Sequence, residues 1–129
     1  RVKLKSLDKW LEGRREIASK YNEAFSEIDE VKTPVTLDNN QHTFHQYTMY
    51  VDSRDELMKY LNDNGVSARV YYPIPLHIQP CYEGMKLNAE DFPVSNDAAL
   101  HVLSIPVYPE LKCEEVEYVI STVKEFYQK

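Results

Sequence analysis

The chain has 129 residues, a net charge of −6, 43% hydrophobic residues and 28% charged residues. This length favours one domain with one core, and the composition is typical of an ordinary globular protein. The sequence has no basic stripe, which argues against nucleic-acid binding, and its three glycines leave little room for a Gly-rich phosphate loop.

Residues 1–29 are predicted to form one long helix, because apolar side chains recur along them at helical spacing. The stripe consists of Leu4, Leu7, Leu11, Ala18, Tyr21, Phe25 and Ile28, widened by Trp10, Ile17 and Ala24. Such a helix extends beyond a small domain, so we expect part of the stripe to pack on another domain or on a partner subunit. The alternative is a helix that lies across its own sheet. The chain begins inside this helix, which suggests a piece of a longer protein.

Two strands with a helix between them are predicted next. Residues 44–51 are rich in aromatic and β-branched side chains, which favours a strand. Ser53 and Glu56 have the spacing of a capping box that opens a helix, and Gly65 marks the end of that helix. Residues 66–72 are the second strand, so the three elements predict a crossover unit.

The last third of the chain predicts a short helix at 95–102, an extended stretch at 104–107 and a long amphipathic helix at 113–127. Together the elements predict an α+β fold, in which a small sheet has helices packed on one face and follows a long N-terminal helix. We expect residues 30–129 to form this small domain.

The ten residues from Val70 to Gln79 contain two tyrosines, two prolines, a histidine and a glutamine. Each proline restricts its own φ and biases the preceding residue toward an extended conformation. The segment is therefore stiff, and it holds Tyr71, Tyr72 and His77 with little freedom. This arrangement suits one wall of a binding site, and it equally suits a plain hydrophobic corner.

His45 is a further candidate, because it lies early in the predicted strand and shares a face with Tyr47. If this strand neighbours the one that ends at Tyr71 and Tyr72, one edge of the sheet carries a cluster of tyrosine and histidine side chains. A histidine with a purely structural role is the alternative.

No catalytic residue and no metal ligand are assigned. His42 and His45 are predicted to point to opposite sides of the chain, and Pro80 disfavours a helical turn that would join His77 to Cys81. Cys81 and Cys113 lack the spacing of a disulfide framework. In an acidic chain without a signal peptide, free thiols indicate the cytoplasm. No apolar run is long enough to span a bilayer, so we expect no membrane contact.

Five ordered blocks resemble those of the carboxy-terminal small domain of the DegT/DnrJ/StrS family of pyridoxal-phosphate-dependent nucleotide-sugar aminotransferases. The blocks are Leu7-Asp8 with Arg14 or Arg15, Ala18 and Tyr21; Phe44-His45-Gln46-Tyr47; Tyr72-Pro73 through Leu76-His77 to Gln79; Phe92-Pro93; and Leu103 to Pro106 with Tyr108 to Leu111. The sequence departs from the family at Lys112 and Cys113, where a Thr or Ser usually caps the last helix.

The resemblance implies the small domain of a fold type I pyridoxal-phosphate enzyme, with residues 1–29 as a connecting helix. The large domain, absent from this chain, would bind the cofactor through a Schiff-base lysine, so the chain alone is expected to be inactive. The whole enzyme would transfer an amino group, usually from glutamate, to a keto sugar linked to a nucleotide.

By the same resemblance, His77, Tyr71 and Tyr72 line the substrate side of the cleft, and His45 is a weaker candidate. The implied partners are the nucleotide sugar, the chain's own large domain and a second copy in a homodimer. Two alternatives stay open. One is a stand-alone interaction or regulatory module that uses the long apolar helix, and the other is a family member that has become regulatory.

Overall fold

Three antiparallel strands form the sheet in the computed structural model, which describes residues 1–128. They are β1 (Val31–Lys32), β2 (Tyr47–Val51) and β3 (Val102–Ile105), in the order β1–β2–β3. Tyr47 pairs with Ile105 and Tyr50 with Val102. Burial alternates along the central strand β2, so that Tyr47, Met49 and Val51 face the core.

Four α-helices surround this sheet: α1 (Leu7–Phe25), α2 (Arg54–Asp63), α3 (Pro93–His101) and α4 (Cys113–Tyr127). Short 3-10 helices lie at Lys3–Ser6, Leu76–Ile78, Pro80–Met85 and Ala89–Asp91. Helices α1, α2 and α4 pack on the inner face of the sheet and share one core cluster with it. Helix α3 contacts Tyr50, whose side chain alternates with the core positions of β2. The predicted α+β class is confirmed.

Helix α1 is shorter than the predicted 1–29 helix, because it starts after a 3-10 turn and ends at Phe25. Its second half is covered by this chain's own core, where Ile17, Ala18, Tyr21 and Phe25 are buried. The start of the stripe is not covered, since Leu4 is 68% exposed and Leu7 is 41% exposed. Within residues 1–128, no helix has the length and apolar character that a bilayer span requires.

The strand predicted at 44–51 begins three residues late, at Tyr47. The cause is Phe44, whose φ of 44° lies in the left-handed region and interrupts the extended backbone. Two hydrogen bonds hold this conformation. The Phe44 N–H donates to His42 Nδ1 (2.9 Å), and the Arg14 guanidinium donates to the Phe44 carbonyl (3.2 Å).

The strand predicted at 66–72 is also wrong, because the segment makes only one bridge, between Arg69 and Ser104. That bridge is antiparallel to β3, which is itself antiparallel to β2. The chain therefore runs from β2 through α2 to a segment at Arg69 that is parallel to β2 and lies on the far side of β3. The predicted crossover exists in this split form, and the backbone has left the sheet before it reaches Tyr71.

Helix α2 begins where predicted but without the capping box, since Ser53 has a φ of 53° and its side chain makes no cap bond. Its end follows the prediction. Gly65 has a φ of 75°, and its N–H donates to Asn62 O (3.1 Å) while the Val66 N–H donates to Leu61 O (2.9 Å). This pair of bonds is the Schellman motif, which needs a left-handed residue at position 65.

Helix α4 matches the predicted 113–127 span, and α3 spans 93–101 where 95–102 was predicted. The residue before α4 is Lys112, which lacks the oxygen of a usual N-cap side chain. The Glu115 carboxylate compensates in part, because it accepts a hydrogen bond from the Lys112 N–H (2.8 Å).

We predict that Gly65→Ala lowers the free energy of unfolding by about 1 kcal/mol, because an alanine is strained at this positive φ. Gly84→Ala is the matched control, since its added Cβ would meet nothing within 4 Å and its φ is not positive. Urea denaturation of both variants measures the difference. Equal effects at the two glycines would contradict the role given to Gly65.

We predict that stability falls as the pH rises through the alkaline range. Burial is the main cause that raises the pKa of Tyr21, Tyr47 and Tyr127 above the usual tyrosine value. Because these pKa values are higher in the folded state than in the unfolded state, the contribution of the three neutral tyrosines to stability is complete below about pH 10. It is lost as the pH rises above that value. Urea denaturation between about pH 9 and pH 11 measures this slope, and Tyr21→Phe is expected to reduce it. A wild-type stability that does not change over this range would contradict the prediction.

Candidate binding cleft

An open cleft of about 380 Å³ lies between the segment after the Arg69 bridge and helix α3. Its lining residues are Tyr71, Tyr72, Ile74, Pro75, Leu76 and Gln79 on one side and Ser95, Ala98, Ala99 and Val102 on the other. The wall is mostly apolar, with a few polar tips. This composition suits a ligand that presents a ring or another flat apolar surface together with a few hydrogen-bonding groups.

The two tyrosines lie at the rim of the cleft. Tyr72 is 76% exposed and Tyr71 is 44% exposed, and their rings meet edge to face with centroids 6.1 Å apart. The prolines direct the chain from here into the 3-10 turn at Leu76–Ile78. Gln79 closes the turn, because its side-chain amide donates to the Ile74 carbonyl (3.3 Å). The cleft wall is thus a short self-bonded unit that presents its rings outward.

His77 is placed differently from its tyrosine neighbours. It is only 9% exposed, and its ring stacks on Phe92 with centroids 4.5 Å apart. It is not one of the residues that line the cleft, and its Nε2 is buried without a hydrogen-bond partner within the described chain. A substrate role for His77 stays a prediction, and the imidazole is not presented at the open rim.

His45 lies away from the two tyrosines. It lines a separate groove of about 510 Å³ with Trp10 and Tyr108, beside the uncovered start of α1. The predicted cluster of tyrosine and histidine at one sheet edge is wrong, because β3 separates β2 from the Arg69 bridge and His45 precedes the strand. Tyr47 is fully buried rather than at this edge. A binding role for His45 stays a prediction.

Helix α3 supplies the second wall of the cleft, which the sequence did not indicate. It is fixed to the sheet by Tyr50, whose hydroxyl donates to Asp97 Oδ2 (2.9 Å) and whose ring stacks on His101 at 4.6 Å. The bond to Asp97 is the main cause that raises the pKa of Tyr50. Arg54 adds a bond from α2 to the Ala99 carbonyl (3.0 Å). The small pair Ala98 and Ala99 leaves room for the cleft beside this helix, but small residues alone do not predict a binding wall.

The cleft residues do not fit the implied cofactor. Pyridoxal phosphate takes a lysine amine for its Schiff base, backbone amides for its phosphate and a carboxylate for its ring nitrogen. The lining set contains no lysine and no carboxylate, and every lysine in the described residues is exposed or half-buried. What these residues offer is contact surface and exclusion of water.

Other reaction centres have little support in the geometry. No group of three or more His, Cys, Asp or Glu side chains that would hold a metal ion occurs among residues 1–128. Cys81 and Cys113 are free and exposed. The Cys81 thiol lies 4.0 Å from Gln79 Oε1, whereas the ring of His77 stacks on Phe92.

A sequence model described as the DegT/DnrJ/EryC1/StrS aminotransferase family matches residues 1–124. The pleiotropic regulatory protein of Geobacillus stearothermophilus is 41% identical over 129 residues, which is 98% of this chain and 35% of that protein. The dTDP-3-amino-3,4,6-trideoxy-alpha-D-glucose transaminase of Streptomyces venezuelae is 30% identical and covers 100% of this chain and 34% of its own length.

Solved structures also match this chain over nearly its whole length. The DesV structure from S. venezuelae matches 100% of this chain and 35% of its own, with a TM-score of 0.96 and 29% identity. A DegT DnrJ EryC1 StrS aminotransferase from Brucella abortus matches 98% of this chain and 34% of its own, with a TM-score of 0.90 and 32% identity. This chain therefore spans about a third of the length of these relatives. With the family motifs and the fold in agreement, the chain belongs to the DegT/DnrJ/EryC1/StrS aminotransferase family.

Proposed function

We propose that this chain is the substrate-side small domain of a pyridoxal-phosphate-dependent aminotransferase that acts on a nucleotide-linked keto sugar. The observation that carries the proposal is the open cleft with Tyr71 and Tyr72 at its rim, in a chain that belongs to an aminotransferase family. The transaminase of S. venezuelae supports the substrate class, since its name specifies a dTDP-linked amino sugar.

In this proposal the chain's residues bind and shield the substrate. The exposed rings of Tyr71 and Tyr72 would contact the sugar nucleotide and exclude water. The cofactor would be bound by the remaining two thirds of the enzyme, and it would supply the chemistry of the amino-group transfer. Glutamate as the amino donor and a homodimer are further parts of the proposal, and they rest on the family resemblance. A cytoplasmic location is also proposed, and it rests on the two free thiols of an acidic chain.

A regulatory protein is the second candidate. The relative from G. stearothermophilus is named a pleiotropic regulatory protein, and a relative from Saccharopolyspora erythraea, 34% identical, is named a sensory transduction protein. The uncovered 3-10 turn and the first residue of α1, where Leu4 and Leu7 are exposed, support a partner contact in either case. A regulator would keep this contact and dispense with turnover of a keto sugar.

We predict that Tyr72→Ala, made in the full-length enzyme that contains this chain, raises KM for the nucleotide sugar by about tenfold, because the ring contact is lost. Tyr72→Phe keeps the ring and is expected to stay close to the wild type. The control is Tyr118→Ala, which removes a 51% exposed tyrosine outside the cleft. Steady-state kinetics distinguish the cases. An unchanged KM in Tyr72→Ala would refute the cleft assignment.

We predict that the 129-residue chain mixed with pyridoxal phosphate develops no internal Schiff-base band at about 410–430 nm, because every lysine among residues 1–128 is exposed or half-buried and burial therefore activates none of these amines. The full-length enzyme is expected to show the band. Absorbance spectroscopy after removal of free cofactor measures both samples. A stable band in the short chain would place the cofactor site here and overturn the proposed division of roles.

A further inference from the structure

A second cleft, of about 360 Å³, lies between α1 and the loop at 36–44. Its lining residues are Arg15, Ser19, Asn22, Thr36, Asn40, Gln41, His42 and Phe44. Seven of these eight side chains are polar, one is a cation and none is a carboxylate. The cleft shares no lining residue with the one beside Tyr72.

The fold fixes the orientation of the Asn22 amide. The Tyr47 hydroxyl donates to Asn22 Oδ1 at 2.7 Å, and Tyr47 itself is fully buried. Because this oxygen is occupied by a core residue, the Asn22 NH2 group is the part of the side chain left for a ligand. The cleft therefore has one donor whose direction is set by the core.

The tautomer of His42 is fixed in the same way. Its Nδ1 accepts the Phe44 N–H at 2.9 Å, and its ring contacts the Phe44 ring with centroids 4.2 Å apart. A neutral imidazole that accepts at Nδ1 carries its proton on Nε2, so His42 offers an N–H donor at that atom. Sequence reasoning considered this histidine only as a metal ligand.

Arg15 is held at the edge of the cleft. Its Nε donates to the His42 carbonyl (3.2 Å), one terminal nitrogen donates to Gln41 Oε1 (3.5 Å) and the other lies 3.4 Å from the Glu12 carboxylate. These contacts orient the guanidinium, although Glu12 offsets part of its charge. With a net charge of −6 on the chain, an anion is attracted here only by such local donors.

We propose that this cleft binds a small oxyanion of the phosphate class, held by the Asn22 amide, the His42 Nε2–H and the Arg15 guanidinium. Donors on α1 and on the facing loop suit an ion with oxygens on several sides, and a guanidinium fork matches two of them. A carboxylate, with only two oxygens in one plane, would use fewer of these donors. The proposal goes beyond the proposed enzymatic function and does not depend on it.

The test is a titration of the isotope-labelled chain with inorganic phosphate at constant ionic strength, followed by amide chemical shifts. We expect saturable shifts within residues 19–22 and 36–44, with acetate weaker than phosphate. Asn22→Asp keeps an acceptor for Tyr47 and replaces the donor by an acceptor, so it is expected to weaken phosphate binding by about tenfold or more.

Arg15→Gln and Lys59→Gln each remove one positive charge, but Lys59 is on α2, which contributes nothing to this cleft. We expect Arg15→Gln to weaken binding by about tenfold and Lys59→Gln to leave it within about twofold. Equal effects of these two variants would indicate a diffuse charge effect and overturn the proposal. Shifts that do not saturate by about 50 mM phosphate, or acetate binding as tight as phosphate, would also overturn it.

Discussion

The contact between Tyr21 of α1 and Tyr47 of β2 is the interaction on which the remaining structure depends. Both rings are fully buried and meet edge to face with centroids 5.0 Å apart. The Tyr21 hydroxyl donates to the Pro106 carbonyl (3.0 Å), and the Tyr47 hydroxyl donates to Asn22. Three elements are thus joined at one point, namely α1 through Tyr21 and Asn22, the central strand β2, and the segment after β3. Because a buried hydroxyl without its acceptor is costly, these partners also fix how α1 lies on the sheet.

Periodicity predicted those parts of the fold in which burial follows the local pattern. Helix α4 and the buried half of α1 are of this kind, because one face of each packs on a core formed by the same chain. The late start of β2 is a case in which a distant group determines the backbone. Arg14 reaches the Phe44 carbonyl across 30 positions, and it also donates to the Val107 carbonyl (2.8 Å). No local pattern encodes that bond, so the late start of β2 was not predictable from residues 44–51 alone.

In the candidate site, too, some features follow from the local sequence and others depend on distant residues. The stiffness of the proline segment and the presentation of Tyr71 and Tyr72 followed from local chemistry. The environments of His77 and His45 did not. His77 packs on Phe92, fifteen positions further on, and His45 follows Phe44, whose left-handed backbone is held by the distant Arg14. The wall formed by α3 was missed because alanine carries no functional group, and its position results from the distant Tyr50–Asp97 pair.

The two walls of the tyrosine cleft are held by different kinds of bonds. Helix α3 is tied to β2 and α2 by contacts that span more than forty positions, from Tyr50 to Asp97 and from Arg54 to Ala99. The hydrogen bonds described for the opposite wall are local, such as those from Gln79 to Ile74 and from Ile78 to Pro75. Locally bonded segments move at lower free energy than elements fixed by long-range contacts. On the side that carries the tyrosines, a longer-range contact that opposes such movement is the stack of the buried His77 on Phe92, the residue that precedes α3, so this stack joins the two walls of the cleft.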